Sequence, residues 1–181
     1  MLRITVLQFG GGNFLRAFTD LFLHQANANR DAGRAVVVTS TESDRTRLIN
    51  AQSGTYHVVV RGLAGGQQID ETICVDGAIE RALSAAHQWP QILRTATSAD
   101  LRWVVSNTTE AGLQLAPEEI TDLPLNAVTQ APVSFPAKLL ALLAHRHEAG
   151  LPGLTILPCE LVDANADLLH RLVLEQAQRW R

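Results

Sequence analysis

A short apolar run, Ile4 to Phe9, breaks into Gly10-Gly11-Gly12 and passes directly into a helical pattern. In that pattern Phe14, Ala17, Phe18, Leu21 and Phe22 repeat at the three-and-four spacing of a helix face. Strand, glycine turn and helix, in that order, make the phosphate-cradling start of a dinucleotide-binding fold. Gly10 suits the tight turn, and Gly12 lets backbone N–H groups approach a pyrophosphate. The helix opening at Asn13 presents free N–H groups and the positive end of its dipole. In the G-x-G-x-x-G pattern the third glycine permits close helix–strand packing; here Leu15 takes that place. The competing reading of the glycines is an ordinary strand-to-helix turn. Their place at the first crossing favours a nucleotide.

The rest of the chain alternates strands and helices. The first helix is expected to fade over 27–33, and Ala35-Val-Val-Val-Thr-Ser40 has the continuous apolarity of a parallel strand buried on both faces. Just beyond that strand a dinucleotide fold places an acidic residue on the adenosine ribose. Glu42 and Asp44 are the candidates; Arg45 and Arg47 could instead accept the 2′-phosphate of NADP, and a solvated loop of mixed charge is the third option. Strands are expected over 56–61 and 68–75, with Gly62, Gly65 and Gly66 between them as a hairpin loop, read as an insertion at about 55–76. Helices over 78–86 and 90–97 follow, the second with Pro90 in its first turn.

The run Leu101-Arg-Trp-Val-Val-Ser106 reads as a central strand, ending in Asn107, Thr108, Thr109 and Glu110. In an open parallel sheet ligands sit beyond the carboxyl ends of strands, so these four side chains could contact ribose or nicotinamide groups. The same residues would also make a turn and helix cap. Residues 116–132 lack periodicity. Ser134 caps an apolar helix that carries Pro136 in its first turn and ends at Gly150. A strand over 154–157 and a helix over 166–180 complete the pattern. The fold class is α/β, a Rossmann-like doubly wound, mostly parallel sheet with a β-hairpin insertion.

With 181 residues the chain makes one domain, or one and a fraction. The formal charge of −3 and the lone lysine, Lys138, leave no basic footprint for nucleic acid. No segment reads as a signal peptide or membrane span, so a cytoplasmic protein is expected. Cys74 and Cys159 match neither a zinc nor a redox spacing, and Cys74 is read as a core residue. His145 and His147 flank Arg146 and point different ways on a helix; no metal site is expected, and helix-end charges are the better reading.

Four stretches occur in order: Gln8-Phe-Gly-Gly-Gly-Asn-Phe-Leu-Arg-Ala-Phe18, Ser106-Asn-Thr-Thr-Glu-Ala-Gly112, Ser134-Phe-Pro-Ala-Lys-Leu139 and Pro158-Cys-Glu-Leu-Val-Asp163. Together they resemble the N-terminal half of the mannitol dehydrogenase family of long-chain polyol and sugar-acid dehydrogenases, which tolerates a non-glycine at Leu15. The resemblance implies NAD as cofactor and hydride transfer to or from a ketose-type sugar acid, tagaturonate to altronate. It assigns Gly10, Gly12, Asn13 and Arg16 to the pyrophosphate loop, with Phe9, Gly11 and Phe14 beside them as cofactor-binding residues. Asn107, Thr108, Thr109 and Glu110 fall at the cofactor-side strand end, and Asn165 reaches toward the substrate oxygen, next to Ala166 where the family usually has glycine. Fructuronate reduction and mannitol(-phosphate) oxidation are the near alternatives.

The family carries a second, helical domain with the catalytic lysine. Lys138 matches the Ser-Phe-Pro-Ala-Lys motif instead, so no catalytic residue is assigned. The chain is expected to be the cofactor domain alone, as an excised domain or a truncated gene product, binding dinucleotide independently of Lys138 and turning over little. A sugar-acid substrate would bind only with the missing domain. A dinucleotide-binding or sensing module that never had a catalytic half is the alternative of different class, and a methyltransferase a weaker third.

Overall fold

The computed structural model describes residues 3–40, 44–108, 112–120 and 130–180. Its centre is β1 (Ile4–Phe9), flanked by β2 (Arg34–Thr39) on one side and β6 (Trp103–Ser106) on the other. Beyond these lie β5 (Ile79–Ser84) and β7 (Thr155–Pro158), giving the order β5-β2-β1-β6-β7 with every neighbouring pair parallel. The strand order reverses around β1, as in a doubly wound Rossmann sheet.

Alternation along β1 sorts its side chains between two layers. Leu7 and Phe9 face a core shared with α4 (Ala85–Ala96), α5 (Phe135–Glu148) and α6 (Asn165–Arg179). Val6 faces the other core, under α1 (Asn13–Ala17), α2 (Thr19–Asn27) and the hairpin of β3 (Tyr56–Ala64) and β4 (Gln67–Val75). The hairpin forms its own two-stranded sheet. Its turn is shorter than expected, two residues, because Gly65 and Gly66 at φ 58° and 80° meet the positive-φ demand of the tight turn that suits strand twist.

Several expectations need correcting. Of the helix expected over 78–86 only Ala85 and Ala86, which open α4, are helical: 79–84 form edge strand β5, where Ile79, Ala82 and Leu83 are buried against β2 and its covering helices. Alanine and leucine favour a helix locally, but pairing with β2 overrides that preference. Residues beyond β2 form α3 (Asp44–Ala51), whose polar surface hides its periodicity; only Ile49 and Thr46 are among its buried residues. The first helix is broken at Phe18 (φ −118°, ψ −83°), and its aromatic face points outward. Phe14, Phe18 and Phe22 stay 50%, 41% and 54% exposed, whereas Leu15, Leu21 and Leu23 are buried. Cys74 is exposed on β4, not in the core. Among the described residues no helix is long and apolar enough to cross a membrane, and no group of three His, Cys, Asp or Glu could hold a metal.

Arg146, read from sequence only as the residue between two histidines, is almost wholly buried. Its guanidinium donates to the carbonyls of Ala96, Ser98, Leu101 and Pro152. One side chain thus joins the end of α4, the approach to β6 and the loop after α5.

Candidate functional site

The carboxyl end of β1 is stitched to both neighbours. Gly10 N donates to Val38 O at 3.0 Å, and Asn107 N donates to Phe9 O at 3.0 Å. Gly10 has φ +118°, and a Cβ there would lie 2.7 Å from the Asn107 carbonyl oxygen, so conformation and space both require glycine. Gly12 is glycine for a different reason. A Cβ there would meet nothing within 4 Å, so its absence leaves the backbone bare at the entry to α1.

The three glycines form one side of a cleft of about 560 Å³ over the switch point of the sheet. Its other walls include the end of β2 with Thr39 and Ser40, Arg45 of α3, the β6 end with Asn107 and Thr108, and the start of α5 with Ser134, Phe135 and Lys138. Arg45 Cδ would lie 3.4 Å from a Cβ at Gly11, so this arginine of the adenosine-side alternative borders the glycine loop. Asp44 begins α3. Glu42, Thr109 and Glu110 lie outside the described residues.

The β6 end is held from behind by Glu160, which is nearly inaccessible. Its Oε1 accepts from the Thr108 backbone N–H and hydroxyl at 3.0 and 3.1 Å, and its Oε2 accepts from the Ser106 hydroxyl at 3.2 Å. Asn107 Nδ2 donates to Cys159 O at 2.6 Å. These polar side chains, read from sequence as ligand contacts, also clamp the β6 and β7 loops together. Asn165 does not border the cleft: its Nδ2 donates to the carbonyls of Pro158 and Glu160, both at 3.0 Å, and steadies the loop that carries Glu160. Burial, and next the Glu160 charge, push the Cys159 thiol pKa up.

Asn13, Phe14 and Arg16 also lie away from the cleft walls. The Arg16 guanidinium donates to Asn13 Oδ1 and lies 5.4 Å from the Tyr56 ring centroid, while the Tyr56 hydroxyl donates to Arg16 O at 2.7 Å. Phe14 stacks on Phe18 with centroids 5.3 Å apart.

Two features invisible in the sequence support the cleft. Beneath the loop, buried Gln8 Nε2 donates to Gly10 O at 3.1 Å and to Asp20 Oδ2 at 3.3 Å. Burial pushes the Asp20 carboxyl up to about 7, against the opposing pull of Gln8 and Arg16. On the α5 wall, Lys138 is 6% exposed and its ammonium donates to Val133 O. Burial lowers its pKa, and the Glu119 carboxylate draws it back. Glu119 in turn accepts from Ala116 N and Ser134 N, at 3.1 and 2.9 Å.

The family model described as the mannitol dehydrogenase Rossmann domain matches residues 4–180. The chain belongs to the mannitol dehydrogenase family. Curated relatives include altronate oxidoreductases from Enterobacter sp. (strain 638), 37% identical over 97% of this chain, and from Halalkalibacterium halodurans, 39% identical over 97%. The chain spans only 36% and 34% of those two proteins. Among solved structures, mannitol 2-dehydrogenase of Pseudomonas fluorescens in ternary complex with NAD and D-mannitol superposes with TM-score 0.82. The identity is 20%, over 99% of this chain and 38% of that one. A substrate-free D-sorbitol dehydrogenase superposes with TM-score 0.79 at 21% identity, over 98% of this chain and 38% of that one. Both likenesses bear on the fold, which is that of the family's Rossmann domain.

Proposed function

We propose that this chain is the NAD(H)-binding domain of a dehydrogenase that interconverts tagaturonate and altronate. The observation that carries the dinucleotide reading is the glycine backbone at Gly10–Gly12, bare at Gly12, opening into one cleft with the ends of β2 and β6. A cleft at the switch point, bordered by glycine backbone at the entry to α1, suits a pyrophosphate and leaves room for a sugar on each side. The substrate reading draws on the named altronate oxidoreductases among the relatives. When bound, the nicotinamide would exchange hydride with the substrate carbon.

This chain's own residues position the cofactor. Gly11 and Gly12 receive the phosphates, Asn107 and Thr108 form the β6 wall, and Arg45 with the start of α3 borders the adenosine end. Ketone reduction also needs a proton donor within hydrogen-bond reach of the carbonyl oxygen, and we assign that group to a second, helical domain.

Calorimetric titration with NADH and, separately, NADPH tests the reading. Saturable NADH binding that Gly12→Asp weakens at least about tenfold is the expected result, since the new carboxylate would face the phosphates. No binding of either nucleotide by the folded chain would overturn it. A preference for NADPH would move the adenosine ribose assignment from Glu42 and Asp44 to Arg45 and Arg47. Turnover of tagaturonate by a full-length protein, over fructuronate and fructose, tests the substrate; the 181-residue chain alone is expected to show little.

A further inference from the structure

Lys138 is the sole lysine of the chain, and it is buried in the wall of the candidate cleft. Burying an ammonium costs several kcal/mol unless its protons find acceptors. Among the described residues, Lys138 Nζ has one hydrogen-bond acceptor, Val133 O, for three N–H donors. The Glu119 carboxylate is close enough to act on its charge, yet its oxygens serve the backbone N–H groups of Ala116 and Ser134. A buried cation with spare donors therefore borders the cavity. The start of α5 also meets the glycine loop: the Phe9 and Phe135 rings are 5.0 Å apart, with Gly10 following one and Lys138 one turn beyond the other.

We propose that Lys138 is a phosphate-binding residue, its ammonium donating to the pyrophosphate of the bound dinucleotide from the α5 wall while Gly11 and Gly12 hold it from below. This rests on the dinucleotide reading and adds to it a residue outside the glycine motif. An ammonium is a compact point charge suited to a phosphate oxygen, and the glycine N–H groups supply only partial positive charge. Arg45, the other cation among the described residues of the cleft, lies on the first turn of α3.

The test compares wild type with Lys138→Met, which keeps the unbranched apolar stem, and Lys138→Arg, which keeps the charge. Binding of NADH and ADP is read by calorimetry, and that of adenosine by ligand-observed NMR. Lys138→Met is expected to weaken NADH and ADP about ten- to hundredfold, the effect of losing one charge-assisted hydrogen bond. Adenosine should bind all forms alike, Lys138→Arg should recover part of the loss, and the melting temperature of Lys138→Met should not fall. NADH and ADP affinities unchanged in Lys138→Met would overturn the proposal while leaving the dinucleotide reading intact. An equal loss for adenosine would also overturn it, since the contact would then be to the nucleoside. A folded wild type that binds neither NADH nor ADP would overturn both.

Discussion

Asp20 lies beneath the glycine loop, joined to it through Gln8, and is fully buried. Its Oδ1 and the Oε1 of Gln8 are both buried without a protein partner; a proton on the carboxyl would supply the donor this cluster lacks. Burial raises its pKa from 3.8 to about 7, so the folded state holds a proton that the unfolded chain releases. Between these values the folded state binds more protons, and stability falls as pH rises. The penalty is complete above pH 7 and, on this shift, is of the order of 4 kcal/mol. Asp20→Asn keeps the size, adds a donor and removes the charge. It is expected to raise stability at pH 8 by at least about 1 kcal/mol and to flatten the pH 4–7 slope in urea unfolding. Parallel pH profiles for the two proteins would show that Asp20 titrates normally.

Elements whose stabilising contacts are close in sequence were the ones that could be read beforehand. The β1–glycine–helix crossing, the β2 and β6 runs, the hairpin and the Ser134 cap, whose hydroxyl accepts from Ala137 N, all announce themselves in local pattern. β5 did not, since its strand character comes from pairing with β2, about forty-five residues earlier in the chain. Of the cleft walls, the glycine loop and the strand ends are legible in the sequence, whereas nothing local shows that α5 brings Lys138 to the cleft. Arg146 is the extreme case, with acceptors on three separate segments. Arg146→Ala leaves these carbonyls short of donors inside the structure and is expected to cost about 3–5 kcal/mol. A shift of the urea midpoint equivalent to less than about 1 kcal/mol would mean that water replaces the guanidinium.

Across the whole molecule, the outward row Phe14, Phe18 and Phe22 is the clearest departure from a closed surface. Its rings touch in sequence, with centroids 5.3 and 4.7 Å apart, and each is roughly half exposed. An apolar ridge of this kind drives association. Light scattering is expected to show a mass that grows with concentration for the wild type and stays monomeric for Phe18→Ser/Phe22→Ser. Equal growth in both would assign association to another surface. The β3–β4 hairpin stands apart for a different reason. Tyr56, Val58 and Val75 tie its base to the domain, while both strands near Gly65-Gly66 face solvent along a ladder of nine cross-strand pairs. It is therefore a stiff arm whose tip can carry a fluorophore or an affinity tag, reporting on the domain from outside without touching the cleft.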